Sequence, residues 1–174
     1  MLVDYDSGNL HSAEKAFQRM AQEGDGGRIL VTSRPEDVAR ADRIVLPGDG
    51  AFPACRAALG NYAGLFEAIE EAVTRRARPF LGICVGMQML ATRGREHQLT
   101  DGFGWIAGEV DRITPTDPGM KVPHMGWNLV EALKPDPLVA DLPEESRFYF
   151  VHTYRAVPDD DGALLGLTTY GVPF

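Results

Sequence analysis

The sequence has 174 residues, of which 44% are hydrophobic and 24% are charged, and its formal net charge is −8 at pH 7. This length and composition predict one globular domain and disfavour a disordered, collagen-like or coiled-coil chain. The acidic balance disfavours non-specific binding to nucleic acid or anionic membranes, because those partners are held by clustered lysine and arginine.

The first part of the chain predicts a strand, a helix and a second strand. Leu2–Tyr5 is strand-like, and Arg28–Thr32 predicts the second strand. Between them, apolar residues three or four positions apart predict an amphipathic helix: Leu10, Ala13, Phe17 and Met20. Ser33 and Glu36 then have the spacing of a capping box, with Pro35 just inside the short helix that follows.

A third strand and a long helix are predicted next. Ile44–Leu46 is a short apolar run that ends at the glycine-rich turn of residues 47–50. From about Pro53 to Arg76 the apolar residues repeat at intervals of three and four, which predicts one buried helical face: Leu59, Tyr62, Phe66, Ile69 and Val73. We expect Gly60 and Gly64 to weaken this helix without ending it.

The remaining segments complete an α/β pattern. Phe80–Cys84 predicts a buried strand, and Val85–Ala91 predicts the next helix. After about Phe103 the chain becomes strand-like between glycine and proline turns, with runs at Phe148–Tyr154 and Ala163–Thr169. We therefore expect an α/β fold with a mostly parallel central sheet flanked by helices, and an added β-rich layer in the C-terminal half.

Cysteine and histidine are used sparingly. The two cysteines, Cys55 and Cys84, lack the spacing of a disulfide framework or a zinc site, and the four histidines are scattered. We expect no metal and no cofactor. The sequence shows neither a signal-peptide pattern nor the roughly 20 apolar residues that a membrane helix requires. A cytoplasmic location, where thiols stay reduced, is therefore expected.

The chemistry of the sequence is concentrated around Cys84. A cysteine between Gly82 and Gly86, at the junction of an apolar strand and a helix, has the pattern of a nucleophile elbow. A thiol at the start of a helix is favoured as the thiolate. The same five residues are equally compatible with a buried core cysteine beside two packing glycines.

A nucleophilic cysteine that transfers an acyl group also needs hydrogen-bond donors for the developing oxyanion. The backbone N–H of Val85 is one candidate donor. The turn of residues 47–50, at the end of a neighbouring predicted strand, is a candidate for the other. Taken alone, such a turn more often only reverses the chain.

Several motifs resemble a known family. Gly82–Gln88, together with Leu46–Phe52, resembles the class I glutamine amidotransferase domain. Four further motifs narrow the resemblance to the glutaminase subunits of imidazole glycerol phosphate synthase, which act in histidine biosynthesis: Ser7–Leu10, Val122–Asn128, Phe148–Tyr154 and Thr168–Gly171. The resemblance covers almost the whole chain, and it implies a single glutamine amidotransferase domain over residues 1–174.

The resemblance also implies a role for each matching residue. Cys84 attacks the side-chain amide of glutamine, forms a thioester and releases ammonia. The backbones of Gly50 and Val85 serve the oxyanion hole. Gln88 and Glu96 help to hold glutamine, and the residues implied to add backbone contacts to its amino-acid end are Thr153 and Tyr154. Without the family, Gln88 would be a solvated helix position and Glu96 a loop charge.

A partner is implied as well. In the family, ammonia passes to a (β/α)8-barrel cyclase subunit in a heterodimer, which makes imidazole glycerol phosphate and AICAR. The residues implied to lie toward that interface are Asn9, Pro123, Met125 and Trp127. From the sequence alone, the last three are equally compatible with packing inside a β-layer. Two other functions stay open: another class I amidotransferase, of the pyridoxal phosphate or anthranilate type, and a non-catalytic binding module.

The sequence departs from the family in two places. The His and Glu that complete the family's catalytic triad follow the Tyr-Gly-x-Pro-Phe stretch, which here ends at Phe174. We expect the natural protein to continue beyond it, because none of the four histidines in the sequence has the triad's pattern; a chain that ended there would be inactive. Asp49 also stands where the family usually has an apolar residue, inside the turn assigned to the oxyanion hole.

Overall fold

The computed structural model describes residues 1–24, 27–143 and 145–174. They divide into two compact units, Met1–Leu90 and Ala91–Phe174. The boundary between the two units is close to the point where the predicted α/β pattern gives way to predicted strands. Helices alternate with strands in the first unit, and strands dominate the second.

The first unit is built on a parallel four-stranded sheet. Its strand order is β2-β1-β3-β4, and each neighbouring pair is parallel. The strands are β1 (Leu2–Val3), β2 (Val31–Thr32), β3 (Ile44–Leu46) and β4 (Phe80–Gly82). The helices are α1 (Leu10–Glu23), α2 (Pro35–Arg40), α3 (Phe52–Gly60), α4 (Leu65–Glu70) and α5 (Val85–Gln88), and a π-helical turn spans Glu71–Arg75.

The core of this unit explains why β1 and β3 are apolar throughout. All three residues of β3 and both residues of β1 are buried, as expected for strands covered on both faces. The helices add buried side chains to this core: Val38, Phe52, Leu59, Leu65 and Ile69. Burial of each such side chain contributes about 1.5–3 kcal/mol to the stability of the fold. The sheet therefore holds the turns at its ends in fixed positions.

Two predictions about helix boundaries in this unit were wrong. Ser33 does not cap α2, which begins at Pro35 without a side-chain cap bond. Thr32 forms the local hydrogen bonds instead. Its hydroxyl accepts the Arg34 N–H at 3.1 Å and donates to the Asp37 carboxylate at 2.9 Å. The buried Asp37 carboxylate therefore finds a partner that the capping-box spacing did not reveal.

The predicted long helix of residues 53–76 is also divided. It stops at Gly60 and resumes at Leu65, because Gly64 adopts a left-handed conformation with φ of 76°. The buried face shifts accordingly, so that Leu65 and Ala72 are buried while Tyr62 and Val73 are only half-buried. A repeat of apolar residues can thus continue through a turn that breaks the helix.

The second unit consists of β-strands in three sheets. One has the order β11-β7-β5-β6, with strands β5 (Ala91–Gly94), β6 (Thr100–Asp101), β7 (Ile106–Arg112) and β11 (Tyr154–Pro158). Strand β8 (His124–Leu129) pairs with β10 (Arg147–His152), and β9 (Glu131–Ala132) pairs with β12 (Gly166–Leu167). A 3₁₀ turn spans Asp161–Ala163. The predicted α/β fold with an added β-rich layer is confirmed.

Several predicted segments have other boundaries than expected. Strands β1, β2 and β4 cover only part of the predicted runs Leu2–Tyr5, Arg28–Thr32 and Phe80–Cys84, and β4 is not buried as predicted, since Leu81 is 39% exposed. The helix after Cys84 ends at Gln88, so that Ala91 begins strand β5. The predicted strand Phe148–Tyr154 divides at Thr153, because the chain leaves β8 there and pairs with β7 instead. The predicted strand Ala163–Thr169 is reduced to β12. Among the described residues, no helix is long and apolar enough to cross a membrane.

Candidate active site

Cys84 lies at a sharp junction between strand and helix. Strand β4 ends two residues before it, and α5 begins one residue after it. Its backbone has φ of 56° and ψ of −117°, a conformation that residues other than glycine rarely adopt. The side chain is exposed, whereas the other thiol, Cys55, is buried. The structure therefore gives Cys84 the strained, outward-pointing geometry of a nucleophile elbow rather than that of a core cysteine.

The two glycines of the elbow are required by close packing. A Cβ at position 82 would lie 2.5 Å from the backbone N of Met87, and a Cβ at position 86 would overlap the carbonyl oxygen of Leu46. The Ile83 N–H also donates to this Leu46 oxygen at 3.0 Å. The end of β3 and the elbow are thus in direct backbone contact.

The turn that follows β3 is fixed by side chains from the start of the chain. The backbone N–H of Asp49 donates to the Ser7 hydroxyl at 3.1 Å, and that hydroxyl donates to the Asp49 carbonyl, also at 3.1 Å. The Cys55 thiol donates to the same carbonyl at 3.3 Å. The Tyr5 hydroxyl donates to the Pro47 carbonyl at 2.5 Å, and burial raises the pKa of Tyr5.

This anchoring acts through the backbone of Asp49. Both of its backbone groups are engaged, and the residue is exposed. Gly50, next in the turn, has φ of 99° and open space around its Cα. Sequence reasoning used Ser7 only as part of a family motif and missed its contacts. The separation of 42 residues between Ser7 and Asp49 hides the pairing from any local pattern.

Helix α5 presents the other candidate oxyanion donor. Its first hydrogen bond is from the Gly86 N–H to the Ile83 carbonyl at 3.0 Å, so the N–H of Val85 precedes the bonded part of the helix. The N–H groups of Met87 and Gln88 both donate to the Cys84 carbonyl at 3.0 Å. Gln88 is buried, so its description as a solvated helix position does not hold.

The remaining substrate-binding candidates lie in the second unit. Glu96 follows β5, and its side chain is only 14% exposed, so it is not a simple loop charge. His97 is next to it, with Nε2 at 3.9 Å from the Glu96 carboxylate. Thr153 lies between β10 and β11, and its carbonyl accepts the Ile113 N–H at 2.9 Å. Tyr154 begins β11, opposite Arg112 of β7.

Two histidines that the sequence analysis treated as scattered meet beside this corner of the chain. His124 Nδ1 lies 2.9 Å from His152 Nε2, and His152 Nδ1 donates to the Tyr154 carbonyl at 2.9 Å. Their positions, 28 residues apart, face each other because β8 and β10 pair in antiparallel register. The sequence contained no signal for this register.

The interface candidates share exposure to solvent. Asn9 caps α1, where its side-chain oxygen accepts the Ser12 N–H at 3.1 Å, and it remains exposed. Met125 is 61% exposed and Trp127 is 67% exposed, so they are not packing residues within a β-layer. Pro123 is exposed as well.

Met125 and Trp127 belong to a continuous apolar face of the β8–β10 pair, which we call the ribbon face. It is formed by alternate residues that point the same way from the two strands: Met125, Trp127, Leu129, Tyr149 and Val151. The rings of Trp127 and Tyr149 meet edge to face, with centroids 5.5 Å apart. An exposed apolar face of this kind is typical of a protein-binding surface.

Metal ligands are not grouped in the part of the chain that the structure describes. Within residues 1–24, 27–143 and 145–174, no three histidine, cysteine, aspartate or glutamate side chains come together in a way that would hold a metal ion. Neither Cys55 nor Cys84 is in a disulfide.

An exposed cysteine at a strand–helix elbow is typical of acyl-transfer sites, and comparison with known proteins gives the family of the chain. Residues 18–169 match the family glutamine amidotransferase class-I. The chain belongs to this family, and the resemblance noted in the sequence is confirmed. It is accordingly an enzyme of the amidotransferase class.

The most informative relatives share one description. The chain is 67% identical to imidazole glycerol phosphate synthase subunit HisH of Cereibacter sphaeroides, over 98% of this chain and 81% of the relative. It is 53% identical to the HisH subunit of Ruegeria pomeroyi, over 99% of this chain and 81% of the relative. The HisH subunit of Rhodopseudomonas palustris is 48% identical, over 99% of this chain and 82% of the relative.

Proposed function

We propose that this protein is the glutaminase subunit of an imidazole glycerol phosphate synthase and supplies ammonia for histidine biosynthesis. The observation that carries the proposal is the exposed Cys84 at a strained elbow, packed against the strand-end turn of residues 47–50. The names of the HisH relatives support the choice of synthase.

The reaction is the hydrolysis of glutamine through a thioester. The Cys84 sulfur attacks the amide carbon of the glutamine side chain while an imidazole takes the thiol proton. The C–N bond then breaks, the proton is returned to the nitrogen, and ammonia leaves. Water hydrolyses the thioester to glutamate and regenerates the thiol. The resemblance assigns the imidazole to a His, with a supporting Glu, that follow Phe174 in the family.

The oxyanion of each tetrahedral intermediate is stabilised by backbone N–H groups from Gly50 and Val85. The closeness of the β3 end to the elbow supports this assignment, because the Gly50 turn and α5 are held together by backbone packing. The Asp49 carboxylate is exposed, and the backbone bonds to Ser7 keep the turn in place around it.

Glutamine is held at its other end by the remaining site residues. Gln88 is buried one helical turn after the nucleophile, and Glu96 offers a partly buried carboxylate that suits the α-ammonium group of the substrate. Thr153 and Tyr154 contribute backbone contacts to the amino-acid end. Their place at the corner between β10 and β11 supports this role, because the backbone changes direction there.

The ammonia passes to a (β/α)8-barrel cyclase subunit, with which this chain forms a heterodimer that makes imidazole glycerol phosphate and AICAR. The exposed ribbon face supports a protein partner, with Trp127 and Met125 as its central anchors. The resemblance implies that Pro123 and Asn9 also face this partner. A cytoplasmic location is part of the proposal, supported by two cysteines that form no disulfide.

The test is the variant Cys84→Ser in the full-length subunit with its synthase partner. Glutamine-dependent synthesis should be abolished, because the hydroxyl is a far weaker nucleophile. Synthesis from added ammonium salts should persist, since it bypasses the elbow. Loss of both activities would refute the proposal. A glutamine analogue that alkylates cysteine should label Cys84 alone, with the buried Cys55 as an internal control.

A further inference from the structure

A cluster of aromatic and imidazole rings lies beneath the ribbon face, on the other side of the β8–β10 pair. His124 of β8 and His152 of β10 are directly opposite each other in the antiparallel register. His124 is stacked on Tyr170 with centroids 4.1 Å apart, and the Phe174 ring lies 4.7 Å from that of His152. Phe150 closes the cluster, 5.1 Å from His124.

The hydrogen bonds of the two histidines fix where their protons are. The Tyr154 carbonyl can only accept, so His152 Nδ1 carries a proton and donates it over 2.9 Å. In the neutral ring, His152 Nε2 is then an acceptor, and His124 Nδ1 donates to it over 2.9 Å. The result is a directed chain of hydrogen bonds from His124 through His152 to the backbone of Tyr154.

The backbone geometry shows why Tyr154 needs such a partner. Ile113 donates to the Thr153 carbonyl, so Tyr154 and Arg112 form a pair of the non-hydrogen-bonded type in the antiparallel ladder. The backbone groups of Tyr154 consequently point away from β7, and β11 is the edge strand of its sheet. The ladder does not orient the Tyr154 carbonyl, whereas the imidazole of His152 does.

We propose that the His124–His152 pair is a positioning element for the Thr153–Tyr154 corner, and that it sets how tightly the site binds the amino-acid end of glutamine. The inference rests on the proposed function, which gives this corner its substrate contacts. His152 acts through the backbone of Tyr154 and not on the reacting atoms, and His124 holds the ring of His152 in the orientation that donates.

The pair should respond to pH because both bonds together require a neutral His152, whose Nε2 is the acceptor. Burial lowers the pKa of both histidines, and the nearby His152 lowers that of His124 further. The titratable ring packed against the pair is Tyr170, whose hydroxyl donates to the Lys121 carbonyl at 2.9 Å. Arg155, on the same segment, donates from its guanidinium to the Pro173 carbonyl.

The sign follows from the direction of these shifts. Since the folded-state pKa lies below the ordinary value of 6.5, the bonded pair is complete above that pH. It is lost as the pH falls through the lowered pKa, when a proton on His152 Nε2 removes the acceptor for His124. The KM for glutamine should therefore rise toward acidic pH.

The experiment compares His152→Phe with His152→Asn in the full-length subunit bound to its synthase partner. Phenylalanine keeps a ring in the cluster but removes the donor to Tyr154, so the KM for glutamine should rise about tenfold with kcat little changed. The side-chain amide of asparagine can place a donor near the position of Nδ1 and cannot titrate. It should restore the KM to within about threefold of the parent value and flatten its dependence on pH.

The controls separate positioning from a general loss of structure. His11→Phe, at an exposed position of α1, should leave the KM unchanged. If the phenylalanine variant fails to fold, the pH dependence of KM in the parent and in His152→Asn decides the matter alone. An unchanged KM in a folded His152→Phe, or equal pH dependence in the parent and His152→Asn, overturns the inference.

The same assay distinguishes this failure from failure of the proposed function. If Cys84→Ser keeps glutamine-dependent turnover, the glutaminase assignment itself is wrong. If that variant is inactive with glutamine while His152→Phe has the parental KM, only the positioning role of the histidine pair is excluded.

Discussion

The elbow at Cys84 and the corner at Thr153–Tyr154 are held in place by different means. At the elbow, backbone atoms of β3 and α5 touch, and the space left between them admits only glycine. At the corner, the backbone is oriented by a chain of side-chain hydrogen bonds that begins at His124. Geometry set by backbone contact tolerates no substitution, whereas geometry set by side chains can be adjusted by pH or by a conservative replacement.

The largest effect should come from filling the space at the elbow. In Gly86→Ala the new methyl group would overlap the Leu46 carbonyl, so either β3 or α5 must shift. We expect the free energy of unfolding to fall by ~3 kcal/mol or more, together with loss of glutaminase activity. Chemical denaturation of the full-length subunit measures the change.

The matched control for this variant is Gly60→Ala. Gly60 ends α3, and a Cβ there would meet no atom within 4 Å. Its replacement should leave stability unchanged or raise it by up to about 1 kcal/mol, because alanine favours the helix. Equal losses in the two variants would mean that the elbow is not specially constrained.

An intermediate effect is expected from a substitution on the ribbon face, which should weaken partner binding without changing the elbow at Cys84. In Trp127→Ala, the affinity for the synthase partner should fall about 10- to 100-fold, because a large exposed aromatic ring is lost from the centre of the face. Alkylation of Cys84 in the isolated subunit should keep its parental rate. Titration calorimetry or surface plasmon resonance gives the affinity.

Leu138→Ala is the control for the ribbon face, since Leu138 is similarly exposed, at 68%, but lies outside that face. It should bind the partner with parental affinity. The assignment of the interface would be contradicted if Leu138→Ala weakened binding as much as Trp127→Ala does.

The smallest effect should be that of Asp49→Val. The turn is held through the backbone of Asp49 by Ser7, so removing the exposed side chain leaves these bonds intact. We expect kcat for glutamine hydrolysis to stay the same or to rise by up to about threefold, since one negative charge near the oxyanion site is removed. Steady-state kinetics at fixed salt measures it, and a loss of tenfold or more would show that the side chain has a structural role.

The local parts of the fold could be read from the sequence. Ile44–Leu46 is the same strand in the prediction and in the structure, and α1 begins at Leu10, where the apolar spacing begins. The elbow was also identifiable, because its two glycines, its apolar strand and its cysteine lie within a few residues of one another. These features depend on neighbours in sequence, which is the information that spacing and propensity contain.

The rest depends on contacts between distant parts of the chain. The break at Thr153 follows from a change of partner strand, and the anchoring of the turn at Asp49 depends on Ser7, 42 residues earlier. The histidine pair needs the register between β8 and β10. The division of the long helix had a local cause, the left-handed conformation of Gly64. The sequence alone does not show whether a glycine within a helical pattern adopts that conformation.

The ribbon face has a consequence for how the isolated chain behaves at high concentration. Five large apolar side chains of the β8–β10 pair are exposed to solvent, and such a surface favours the association of two copies of the chain. The net charge of −8 keeps copies apart in dilute buffer. Added salt screens that repulsion while leaving apolar attraction intact, so raising the salt concentration favours self-association of the isolated chain, and a protein bound to the ribbon face would prevent it.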